Sequence, residues 1–173
     1  TSETHPILSP NDEYASFEIM SVLLGNPPGR VPHLVGSYAR QGLKDGLKPA
    51  NRLQDLTMQY AKLGRTGNQA LRDALMQARK EGLVPSIYCH AVGYHGHAAG
   101  PPIGMTDYQE GVPVRGDYEF MANTWHSIEL NVTFPVKEWG GMAVRFALEE
   151  DAVLMPNGTW DWIDGRQESF YLI

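Results

Sequence analysis

The chain has 173 residues, 42% of them hydrophobic and 20% charged, which is enough to bury a core and excludes a disordered segment. Its formal charge of −6, with no basic run, argues against nucleic acid or an anionic membrane as the main partner. No stretch approaches the roughly 20 apolar residues that a membrane helix needs.

The first predicted element opens at Ser9-Pro10-Asn11-Asp12, a serine N-cap followed by a proline at the first helical position. Tyr14, Phe17, Ile19, Leu23 and Leu24 carry it to Gly25. Asn-Pro-Pro-Gly and Val-Pro make residues 25–33 a loop. A second helix is predicted from near Pro49 to Leu63, with Leu53, Leu56 and Tyr60 at helical spacing. A third is capped by Thr66 and carries Ala70, Leu71, Ala74, Leu75 and Ala78 on one face as far as Gly82.

Beyond Gly82 the pattern changes to strands and turns. Val84–His90 is rich in β-favouring residues, and 124–134 alternates. His126, Ile128, Leu130, Val132 and Phe134 fall on one face; Trp125, Ser127, Glu129, Asn131 and Thr133 fall on the other. Lys137-Glu138-Trp139-Gly140-Gly141 reads as a turn. Strands are expected at Met142–Leu148, around Ala152–Met155, at Thr159–Ile163 after a Pro156-Asn157-Gly158 turn, and at Glu168–Ile173. Helices first and mostly antiparallel strands afterwards make an α+β chain.

Imidazole and carboxylate ligands are what hydrolytic metal sites are built from, and they recur here in order: His97, then Glu129, then Glu149-Glu150-Asp151. They lie too far apart in sequence for one helical turn or one hairpin tip, so only the fold can assemble them. The tryptophans at 125, 139, 160 and 162 suit either core packing or the wall of a cleft. Arg145 suits either the orientation of a carboxylate ligand or a pair with Glu149.

The succession Gly96-His97-Ala98-Ala99-Gly100, Ile128-Glu129, Val144-Arg145 and Glu150-Asp151-Ala152-Val153-Leu154 with the turn glycine Gly158 resembles the M24 metallopeptidases. These are the pita-bread enzymes that include methionine aminopeptidase, aminopeptidase P and prolidase. Gly64-Arg65-Thr66-Gly67-Asn68 and Arg166-Gln167-Glu168 look most like bacterial Xaa-Pro-peptidase-like members. The resemblance covers roughly residues 48–173, leaving 1–47 as a helical and loop segment of unclear kinship. It implies a pita-bread-like (creatinase/aminopeptidase) α+β domain, with helices packed on a curved, mostly antiparallel sheet, in a chain short for a complete domain.

For the site, the resemblance implies that His97, Glu129 and Glu150 ligate one or two divalent ions (manganese, cobalt, zinc or iron), with Glu149 competing for the last place. Family members usually set that glutamate two residues after the arginine, and a β-bulge would absorb the extra residues here. Glu129 would take a proton from a metal-activated water, and His90 or His95 would donate to the developing oxyanion. The family's later cleft histidine has no counterpart in 101–116. Its two aspartate ligands have none in 1–47: Asp12 falls in a helix, and Asp45 and Asp55 straddle Pro49.

The expected activity is that of a metal-dependent exopeptidase on peptide substrates, Xaa-Pro peptides in particular. The alternative is a non-catalytic pita-bread module that binds peptide or protein in a degenerate cleft. The residues leave the oligomeric state open, a homodimer being one option. The single cysteine, Cys89, cannot close an internal disulfide, so a reducing cytoplasm and a secreted protein fit equally. An opening on Thr1 rather than methionine points to a removed leader, a larger N-terminal part or an expression remnant.

Overall fold

A computed structural model describes residues 41–170. The helix expected over 9–24 and the loop over 25–33 lie outside the described residues, as does the end of the strand expected at 168–173; Glu168–Phe170 is irregular.

Helix α1 spans Gln41–Tyr60 and turns one apolar face inward through Leu43, Leu47, Ala50, Leu53 and Leu56. Its start differs from the expected one, because Pro49 sits inside it. A mid-helix proline costs about 3 kcal/mol. Here Leu43, Gly46 and Leu47 are buried in the turns before it, so packing of the preceding turns outweighs that cost. Gly46 permits a close approach: a Cβ there would lie 2.1 Å from Cζ of the buried Phe146. The helix also runs through residues 47 and 48, at the edge of the stretch that the resemblance covers.

Helix α2 spans Gly67–Lys80 and follows the expected signals. Thr66 accepts from the Gln69 amide while the Gln69 side chain accepts from the Thr66 amide, a complete capping box. Its buried face consists of Gly67, Ala70, Leu71, Ala74, Leu75 and Ala78. Gly82, at φ 81°, turns the chain out of the helix.

The sheet is built on a long hairpin of β3 (Thr124–Val136) and β4 (Met142–Leu154). The tip is a 3-10 turn over Lys137–Trp139 followed by Gly140 and Gly141, both at positive φ. Short strands β1 (Pro85–Ile87) and β2 (His90–Ala91) lie in succession along the other edge of β3, and β5 (Trp160–Trp162) pairs with the end of β4. All pairings are antiparallel.

Instead of two strands with an interruption at Glu149-Glu150-Asp151, β4 is one element paired with β3 from Thr124↔Leu154 to Val136↔Met142. No bulge intervenes. Ile128, Leu130, Val132, Val144, Phe146, Leu148, Ala152 and Leu154 form one core with the apolar faces of both helices. Trp139, Trp160 and Trp162 pack against this core, whereas Trp125 stands half exposed on the other face of the sheet. That open face carries the remaining odd-numbered residues of β3 and β4.

Candidate metal centre

The parity of the hairpin decides which acidic groups meet. In the β3–β4 register Glu129 lies opposite Glu149, and Glu150 lies opposite Ile128. Opposed residues share a face and neighbours along a strand do not. Glu129 and Glu149 therefore both project from the open face, and Glu150 projects towards the helices.

His90 on β2 joins the pair from the other side of β3. One ligand atom each from His90, Glu129 and Glu149 lie within 4.8 Å of one another. His90 Nε2 stands 3.8 Å from Glu129 Oε2, and the two side chains are 21% and 24% exposed, open enough for a ligand to reach. His90 Nδ1 pairs with the Ala91 carbonyl at 3.1 Å. A carbonyl only accepts, so Nδ1 carries a proton and Nε2 is the nitrogen whose lone pair can face a cation.

Ser127 Oγ donates to Glu149 Oε1 at 3.2 Å and holds that carboxylate in place. Ser127 is itself flanked in register by His90 and Asp151. Further along the face, Arg145 Nη2 donates to the Tyr88 hydroxyl at 3.0 Å, and Asn131 Oδ1 accepts from the Tyr88 hydroxyl at 3.1 Å and from Arg145 Nε at 3.0 Å.

The electrostatics of the cluster call for positive charge. Burial, followed by the neighbouring Glu149 carboxylate, pushes Glu129 up to about 7, against a smaller opposing effect of Arg145. Burial also raises Asp151, and His90 opposes that shift. Two carboxylates directly opposite on paired strands repel each other, and a divalent ion between them removes the repulsion. One imidazole nitrogen with two carboxylates is a donor set suited to manganese, iron, cobalt or zinc.

Two of the expected ligands, Glu150 and His97, lie outside this group. Glu150 is 5% exposed on the helix side, where it accepts from Gln54 Nε2 and from the Gln167 amide at 2.9 Å. Glu149 stands beside Glu129 instead, because an uninterrupted β4 gives adjacent residues opposite faces. His97 lies outside the three-residue group. Its exposed ring stacks on His90 with centroids 4.0 Å apart and planes 20° apart, so it covers the ligand that was expected to be a hydrogen-bond donor.

His95 is exposed and packs edge-on against Tyr94, 4.9 Å between centroids. Asp45 and Asp55 lie on α1, bonded to Lys48 and Arg166, away from the cluster. His126, the histidine nearest in sequence to Glu129, is a core residue: it is fully buried, bonds the Pro101 carbonyl and is pushed down to about 4 by burial.

The hairpin turn held the signal for Glu149. A turn centred on Trp139 pairs residues whose numbers are equally far on either side of it, and 129 and 149 satisfy this. The role of His90 had no such signal, since it depends on how the 92–100 loop folds back.

Helices on one face of an antiparallel sheet and a His–Glu–Glu cluster on the other make an α+β unit with the fold of the pita-bread aminopeptidases, in part. An X-Pro aminopeptidase of Thermotoga maritima MSB8 is similar over 80% of this chain and 35% of its own, at 22% identity and a TM-score of 0.55. A dipeptidase of Pyrococcus horikoshii OT3 is similar over 79% of this chain and 35% of its own, at 16% identity and a TM-score of 0.54. The chain thus spans about a third of the length of these solved structures. At such identities the likeness is one of fold. A family model described as a protein of unknown function (DUF3604) matches residues 1–67. No curated protein matches the chain.

Proposed function

We propose that this chain carries the metal-holding part of a hydrolase that acts on short peptides at or near a free N-terminus, with Xaa-Pro peptides as the first substrates to test. The observation that carries the reading is the opposition of Glu129 and Glu149 beside His90 Nε2 on three adjacent strands. Such a face on a rigid sheet positions ligands better than loops do.

His90, Glu129 and Glu149 would hold one divalent ion with coordination positions left open. When bound, the ion supplies Lewis acidity toward a peptide carbonyl and makes a water nucleophilic near neutral pH. The protein's own groups do the rest. The Ala91 carbonyl fixes the His90 tautomer, Ser127 fixes Glu149, and the His97 ring limits rotation of His90. Glu129, beside Glu149 on the same face, would accept a proton during attack on the carbonyl and return it to the leaving amine. Trp125, half exposed on the same face, offers a flat apolar surface to a proline ring.

The test is metal content and turnover together. Protein prepared without chelator should hold manganese, iron, cobalt or zinc in a fixed ratio, and with that ion should cleave proline-containing dipeptides or tripeptides. Both properties should vanish in Glu149→Gln. Peptide binding that persists with no metal and no turnover would replace the hydrolase with a binding module of the same fold.

A further inference from the structure

The loop between β2 and Pro101 carries His97 over the open face, and its return leg is fastened from the opposite side of the sheet. Residues 94–99 are exposed, whereas Ala91 before them and Pro101 after them are buried. The Ala98 N–H donates to the Ala91 carbonyl at 2.9 Å, and the Val92 N–H to the Trp125 carbonyl at 2.9 Å. Gly100 lies so near Ala91 that a Cβ there would stand 2.7 Å from the alanine Cβ. The chain then enters Pro101 and Pro102, which have no N–H and are held only through their carbonyls.

His126 supplies that hold. In the β2–β3 register it lies opposite Ala91, one place from Ser127, the residue opposite His90. Its Nε2 stands 3.1 Å from the Pro101 carbonyl, and its Nδ1 is buried with no hydrogen-bond partner. A carbonyl only accepts, so Nε2 carries the proton and the ring acts as a donor. Phe120 and Trp160 pack around it, with ring centroids at 5.3 and 5.6 Å. An apolar side chain would suit those neighbours as well, and a buried ring nitrogen without a partner is costly. The bond to Pro101 is what a histidine adds at this position.

We infer that His126 is a positioning residue: by fastening Pro101 it seats the 92–100 loop, keeps the His97 ring on His90, and so holds His90 Nε2 towards Glu129. Ala98, Ala99 and Gly100 alone separate His97 from Pro101, so a displaced carbonyl moves the stacked ring. The effect on metal presupposes the hydrolytic centre proposed above; the placement of the two rings does not.

NMR of the histidine rings in metal-free protein, with isothermal titration of manganese, tests both. His126→Leu fills the pocket and removes the donor. The ring-current-shifted signals of His90 and His97 should move towards those of free histidine, and manganese affinity should fall by about tenfold. His126→Gln, whose amide N–H reaches the same carbonyl, should restore both. Added to His97→Ala, His126→Leu should cost no further affinity, since the two act through one stack. Ring signals that move as expected in a chain that binds no manganese support the positioning role and remove the hydrolytic reading. If His126→Leu does not fold, Gly100→Ala pushes the same leg off Ala91 and should move the same signals. Unmoved His90 and His97 signals in a folded variant, or affinity losses that add in the double variant, overturn the inference and leave His126 a packing residue.

Discussion

Glu129 and Glu149 face each other directly across the β3–β4 hairpin, two carboxyl groups on paired strands beside Nε2 of His90. Their separation in sequence is bridged by a turn whose centre, Trp139, lies midway between them. The centre is therefore a product of register, and substitutions at neighbouring positions of β4 should have unlike effects.

Glu149→Gln should weaken divalent-ion binding by at least about 100-fold, beyond the roughly 10–100-fold typical of groups outside the ligand set. Glu150→Gln should leave that affinity within a few-fold and lower stability instead, because Glu150 serves buried donors on α1 and at Gln167. Isothermal titration with manganese, paired with thermal unfolding, separates the two. Equal losses of affinity in both variants would contradict the register.

His90→Ala and His97→Ala divide in the same way. Removing His90 removes the nitrogen ligand and should abolish stoichiometric metal. Removing His97 takes away only the ring stacked upon it, so metal should be retained with affinity reduced by about tenfold. Elemental analysis of the two purified variants is sufficient.

The proton on Glu129 makes stability depend on pH. Its carboxyl titrates near 7 in the folded protein and near 4.5 in the unfolded chain. Between those values the native state holds a proton that the unfolded state has lost. The contribution of Glu129 to stability without metal is thus largest below pH 4.5, falls as pH rises through the window and levels off above 7, by at most about 3 kcal/mol, while His126, pushed down to about 4 by burial, contributes in the opposite sense. Glu129→Gln should remove this contribution, which is read as the difference in stability between the two proteins across the window, and a saturating divalent ion should reverse the slope of that difference. Denaturant unfolding at several pH values between about 4.5 and 8 measures the slope.

Much of this architecture was legible in the residues. The alternation over 124–134 placed Glu129 on the open face, and Thr66 with Gln69 marked the start of α2. Pro49 misled, because propensity is local and the burial of Leu43 and Leu47 is not. The choice between Glu149 and Glu150 turned on whether β4 was continuous. Composition around Glu149-Glu150-Asp151 suggests a break, but pairing with β3 supplies the ladder that holds three acidic residues in a strand. The placement of His90 beside Glu129 with His97 stacked upon it lies deeper, since it rests on a loop closure that no periodicity reports.

Thr66→Ala provides a check on the scaffold apart from the chemistry. Loss of the hydroxyl that accepts from Gln69 should cost about 1 kcal/mol and lower Tm by about 2–4 °C without altering metal affinity. Calorimetry on the metal-free and metal-loaded protein would show the same decrement in both.

The hairpin tip at Lys137–Gly141 touches none of the proposed ligands, yet it acts as the counter that assigns every side chain of β4 to a face. An added residue that shifts β4 by one position along β3 would turn Glu149 inward among the helices and bring Glu150 out onto the open face; a shift by two would return Glu149 to the open face but set it opposite Ser127 instead of Glu129. Either shift breaks the Glu129–Glu149 opposition. Such an insertion far from the chemistry would erase it as thoroughly as losing a ligand.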